Sequence, residues 1–130
     1  MRWACPLCDR EFGRANTPHT CVPGCTVDSA FEGHPGWMRD LYDVILARLL
    51  QSGPVHEDAV SVGVFLKADR KIAEVRPLVR VVKVWVLLPR PAPKAVQASA
   101  DFWALPLSFT SSAVPDDVLA LLDEAYDAAS

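Results

Sequence analysis

Cys5, Cys8, His19, Cys21 and Cys25 crowd the start of the chain, and they are the side chains in it best suited to hold a metal. A Cys-x-x-Cys turn points two thiolates at one ion, and a second pair closes a tetrahedral shell. Two second pairs are available. Cys21 with Cys25 gives C-x2-C-x12-C-x3-C, an interval like that of a zinc finger, but Pro18 and the Val22-Pro23-Gly24 turn work against the helix that would present such a pair. His19 with Cys21 avoids that conflict and is favoured, so that Cys5, Cys8, His19 and Cys21 are the expected ligands of a structural zinc ion. Four protein donors leave no open position for water or substrate, which catalytic zinc requires.

Other uses of the cysteines fit less well. A disulfide framework would staple the whole fold, whereas all four cysteines fall in the first fifth of the chain. A thioredoxin-type dithiol follows a strand and heads a long helix, and Pro6, Asp9 and Phe12 do not lead into one. No long apolar segment follows Met1, so no secretory signal is expected, and the thiols are expected to stay reduced in a cytoplasmic protein.

A second cluster that could do chemistry is His56, Glu57 and Asp58, a set that a hydrolase could use for acid-base work. Three consecutive residues on an extended chain cannot all face one point, and a polar start to a strand explains them as well. His34, among Gly33, Pro35 and Gly36, reads as an exposed loop histidine. The third cluster is basic. The formal charge of -3 argues against a globally basic nucleic-acid binder, yet Lys67, Arg70, Lys71, Arg76, Arg80, Lys83 and Arg90 face only Asp69 and Glu74 in the same stretch. From Ala113 onward Asp116, Asp117, Asp123, Glu124 and Asp127 are all acidic, so a dipolar molecule is expected.

These residues need elements to position them. A chain of 130 residues suits one domain with a real core, and no apolar run approaches the roughly 20 residues of a membrane span. The segment Leu78 to Leu88, LVRVVKVWVLL, reads as the central strand, with Val82, Val84, Val86 and Leu88 on one face and Val81, Lys83, Trp85 and Leu87 on the other. Before it, Val60 to Lys67 and Lys71 to Arg76 alternate as two more strands, and their short links imply an antiparallel meander. Residues 22–36 read as a connecting loop tucked down by Phe31, and the Pro- and Ala-rich stretch after Leu88 as an irregular crossing. Asp101 to Thr110 reads as an edge strand because of Pro106. Trp37 to Leu50 has a helical period with Trp37, Leu41, Val44, Ile45 and Leu49 on one face. The last helix starts at Pro115, carries Asp116 and Asp117 at its positive end, and shows an apolar face of Val118, Leu121, Leu122, Ala125, Tyr126 and Ala129. The expectation is an α+β fold, with a small antiparallel meander of three to four strands flanked by an N-terminal and a C-terminal helix. A zinc-knuckle module over residues 1–25 precedes the α+β body of residues 26–130.

The opening W-x-C-P-x-C-x-R-x-F-x-R-x-N-x-x-H-x-C, Trp3 to Cys21, resembles the start of an uncharacterised bacterial family, domain-of-unknown-function family 5655. Gly53-Pro54-Val55, the strands around Phe65 to Leu66 and Ile72 to Arg76, Val82 to Arg90, and Leu121 to Tyr126 are similar to the rest of it. The resemblance implies Cys5, Cys8, His19 and Cys21 as the zinc set, with Cys25 an extra, and a small meander sheet with flanking helices. It extends to the C-terminal domain of longer proteins labelled predicted transport proteins. Relatives tend to carry a histidine in the third strand where this chain has Val81, and the family brings no activity with it.

Two functions follow from these readings. The favoured one is a non-catalytic binding module in which the zinc knuckle is a rigid prop and Arg10, Arg14, Lys67, Arg70, Lys71 and Arg76 form a positive strip for nucleic acid or another polyanion. The alternatives are a hydrolase-like enzyme using His56, Glu57 or Asp58 or an open metal site, and a protein-protein interaction module. The chain lacks a recognisable nucleophile-base pair and a phosphate loop, which favours the binding module.

Overall fold

The computed structural model describes residues 3–4, 11–13 and 26–130. Two short strands, β1 (Trp3–Ala4) and β2 (Glu11–Phe12), pair antiparallel with Trp3 opposite Phe12 and Ala4 opposite Glu11. The expected zinc ligands Cys5, Cys8, His19 and Cys21, the alternative ligand Cys25, and Arg10 and Arg14 lie outside the described residues.

The body begins with helix α1 (Val27–Phe31), where a loop is expected from the sequence. Thr26 and Ser29 form a reciprocal capping box, which satisfies donors that a bare helix start leaves open. Helix α2 (Gly36–Ser52) follows, then the strands β3 (His56–Val60), β4 (Gly63–Lys67), β5 (Lys71–Pro77), β6 (Val82–Leu88), β7 (Val96–Gln97) and β8 (Trp103–Phe109), and finally helix α3 (Asp116–Ala129). The strands make one antiparallel sheet of six in the order β3-β4-β5-β6-β8-β7. The α+β class is as expected, but the sheet is larger than three to four strands.

Two causes account for the difference. The run from Val60 to Lys67 is not one strand, because Ser61 and Val62 turn the chain and Val60 pairs back onto Gly63. At Gly63 an added Cβ would strike the Val75 carbonyl oxygen, so the bare backbone is what lets the neighbouring strand approach. The Pro- and Ala-rich crossing also contributes a strand, since Val96 and Gln97 pair with Ala104 and Trp103. That pairing stops short of Pro106, which keeps proline on a stretch of β8 with a free outer side. β6 starts at Val82 rather than Leu78, because Leu78 closes a turn by donating its N–H to the Val81 carbonyl at 2.9 Å.

Register assigns every strand residue to a face. Val64, Val75, Val84 and Leu107 lie in one row, and Leu66, Ala73, Val86 and Leu105 in the next, all on one side of the sheet. Val82, Val84, Val86 and Leu88 are buried, as their alternation predicts. They share a single core with Met38, Leu41, Ile45 and Leu49 of α2 and with Val118, Leu122, Ala125 and Ala129 of α3. Both helices therefore cover the same face. The buried stripe of α2 differs from the expected one: Met38, Leu41, Tyr42, Ile45 and Leu49 are fully covered, whereas Val44 is 40% exposed and Trp37 only partly covered. Tyr42 displaces Val44 because its hydroxyl finds a partner, donating to Glu57 Oε1 at 2.6 Å.

Two ion pairs tie α3 to its neighbours. Arg48 of α2 holds Asp123 through two hydrogen bonds of 2.9 and 2.6 Å, and Arg90, just beyond β6, holds Glu124 through bonds of 2.7 and 3.0 Å. Each arginine pulls its carboxylate below the ordinary range, chiefly through these hydrogen bonds. The expected dipole is accordingly blunted, since Arg90 of the basic stretch pairs with Glu124 and Arg48 of α2 pairs with Asp123. Among the described residues, no helix is long and apolar enough to cross a membrane.

Candidate functional site

The other face of the sheet is where the singled-out polar residues meet, and among the described residues neither α2 nor α3 covers it. Register places Asp58, Phe65, Glu74, Trp85 and Pro106 in one row that runs across β3, β4, β5, β6 and β8. Carboxylates and rings alternate along that row. Lys67 and Lys71, paired across β4 and β5, stand to one side of it, and Arg76 and Lys83, paired across β5 and β6, stand to the other. A bulge beside Lys67 puts one extra residue into β5, so that Ile72 and Ala73 are both buried while Lys71 stays on the open face.

The cations are anchored in two ways. Lys67 donates to Asp58 Oδ2 at 2.8 Å, with the Asp58 side chain fully buried. Glu74 receives Lys71 on Oε1 and Arg76 on Oε2, each at 3.0 Å. The same cations lie against the rings: Lys71 Nζ is 4.2 Å from the Phe65 centroid and Lys67 Nζ 5.8 Å, and for Trp85 the Arg76 guanidinium is at 5.4 Å and Lys83 Nζ at 5.9 Å. Contacts of this kind contribute about 0.5–1 kcal/mol at exposed sites. Among the described residues, four cations against two carboxylates give this face a surplus of positive charge.

The sequence-predicted basic set is thus brought together in part. Lys67, Lys71 and Arg76 share the open face, but Lys67 is spent on a buried carboxylate and its side chain is only 23% exposed. Arg70 sits at the β4–β5 turn, 5.4 Å from the Phe102 ring, and lines a hollow of about 270 Å³ with Lys71, Leu87, Ala98, Ser99 and Phe102. Leu87 and Lys71 both belong to the open face, so this hollow prolongs it. Phe65, Trp85 and Lys83 are the residues that sequence reasoning left out of the site. The signal was present in the alternation, since each has the opposite parity to the buried valines beside it.

The cluster of His56, Glu57 and Asp58 is split. Glu57 points to the helix face and accepts from Tyr42, whereas His56 and Asp58 share the open face, opposite Lys67 and Phe65. Burial and the hydrogen bond to Glu57 push the Tyr42 phenol well above its ordinary range. The three residues do not converge on one point, as strand alternation requires.

A second hollow of about 470 Å³ lies at the α1–α2 corner and is lined by Thr26, Asp28, Phe31, His34 and Arg39 among others. Its cation is neutralised, because Arg39 donates to Asp28 at 2.6 Å and to Asp43 at 3.1 Å. His34 Nδ1 is 3.1 Å from the Leu78 carbonyl oxygen, which fastens this corner to the β5–β6 turn. Among the described residues, no three His, Cys, Asp or Glu side chains are grouped to hold a metal. No protein-family model, curated protein or solved structure matches the chain.

Proposed function

We propose that this chain is a non-catalytic binding module for nucleic acid or another polyanion, presented on the open face of its sheet and propped at the N-terminus by a structural zinc ion on Cys5, Cys8, His19 and Cys21. The observation that carries the reading is the placement of Lys71, Arg76 and Lys83 on the sheet face that α2 and α3 leave open, with Arg70 at its rim. Phosphate contacts need only such cations, and they set affinity without reading sequence. The zinc assignment rests on the donor set and its spacing. It gains some support from the β1–β2 ribbon, because the link between those two strands contains Cys5 and Cys8. A hydrolase reading is weaker, since Glu57 is turned away from His56 and Asp58.

Titration of the purified protein with labelled oligonucleotides tests the reading. Binding that is measurable at low salt and weakens steeply as salt rises supports it. Failure of single-stranded and duplex oligonucleotides alike to bind at low salt contradicts it.

A further inference from the structure

We infer that the open face takes a single strand of nucleic acid, with two bases separated from each other and laid one on Phe65 and one on Trp85; this deepens the binding-module reading and rests on it. A polyanion as such needs only cations. The two rings stand in one row, on β4 and β6 with Glu74 of β5 between them. Two strand spacings put them about 10 Å apart. Stacked bases follow one another at about 3.4 Å, so rings on strands this far apart can each take a base of their own. In a duplex the base faces are already occupied by their neighbours, whereas a single strand can turn them onto aromatic side chains.

Charge complements this arrangement. Lys71 lies over the Phe65 ring from one side of the row, and Arg76 and Lys83 lie over the Trp85 ring from the other. A base that takes a cation's place on a ring leaves that flexible side chain next to its phosphate. Among the described residues Lys83 and Arg70 make no ion pair, which leaves their charge available. Because every base has a π-face, the face should accept sequences with little discrimination.

The test compares a short oligo(dT), its duplex with oligo(dA), and inorganic polyphosphate as ligands of the full chain. Phe65→Leu and Trp85→Leu should each weaken oligo(dT) binding roughly ten-fold while leaving the salt slope and the polyphosphate affinity unchanged. Trp85→Tyr, which keeps a stacking ring, should retain most of the affinity, and this guards against a loss caused only by misfolding. The duplex should bind more weakly than oligo(dT). Ring variants that bind oligo(dT) as the wild type does, or a duplex that binds as tightly as the single strand, would overturn the inference while leaving the polyanion reading standing. Failure of the wild type to bind any of the three at low salt would overturn both.

Discussion

Arg76 faces Glu74 and Trp85 at once: its Nη2 donates to Glu74 Oε2 at 3.0 Å while its guanidinium carbon lies 5.4 Å from the Trp85 ring centroid. Glu74 also receives Lys71, so a single largely buried carboxylate restrains two of the cations nearest the rings. Replacing it with glutamine keeps the size and a hydrogen-bond acceptor but removes the charge. Glu74→Gln should therefore bind oligonucleotides several-fold tighter at low salt, on the order of 1 kcal/mol, because the carboxylate no longer competes with phosphate for Lys71 and Arg76. Unchanged or weaker binding by a folded variant would show that these cations do not meet the ligand.

Gly53 ends α2 with φ at +155°, and an added Cβ would strike the Tyr126 hydroxyl, which itself donates to the Pro54 carbonyl at 2.8 Å. Gly53→Ala should cost about 1–3 kcal/mol of stability through backbone strain and the displaced tyrosine. Chemical denaturation checks this. A loss within about 0.5 kcal/mol would mean that the corner relaxes freely.

The arginine bridges to α3 predict an acid dependence. Asp123 and Glu124 are both held below their ordinary ranges by Arg48 and Arg90. Their contribution is complete above the unfolded-state carboxylate range and is lost as pH falls through the lower folded-state values. A variant carrying Arg48→Met and Arg90→Met should melt below the wild type at neutral pH, and the gap should close in acid. A gap that persists unchanged to low pH would assign the effect to packing of the arginine stems.

How much of this was legible depended on whether a feature was local. The buried parity of Val82 to Leu88 and the apolar stripe of α3 lie within single elements, and the sequence alone placed them correctly. The Ser61-Val62 turn was hidden, because Val60, Val62 and Val64 keep a perfect alternation through it. The face of α2 was misjudged since a tyrosine earns burial only when a distant strand offers it Glu57. Helix α1 is five residues long and is signalled only by Thr26 and Ser29, too little to outweigh the surrounding glycines and prolines. The basic residues were visible as a run, but their carboxylate partners and the Phe65–Trp85 row exist only in the register between strands.

The metal assignment has its own discriminating pair of substitutions. With Cys5, Cys8, His19 and Cys21 as ligands, His19→Ala should weaken zinc binding about 10-fold or more, while Cys25→Ser leaves it nearly unchanged. A four-thiolate site would reverse that order. Native mass spectrometry during chelator titration reads both variants directly.

The central claim is that cations on one sheet face hold a polyanion, and its most direct test is the slope of log affinity against log salt for a single-stranded oligonucleotide. The wild type should show a steep slope, and each cation removed among Arg70, Lys71, Arg76 and Lys83 should reduce it by about 0.7, so that the variant with all four replaced by alanine is nearly salt-insensitive and weak. A fourfold variant with the wild-type slope and affinity would contradict the account.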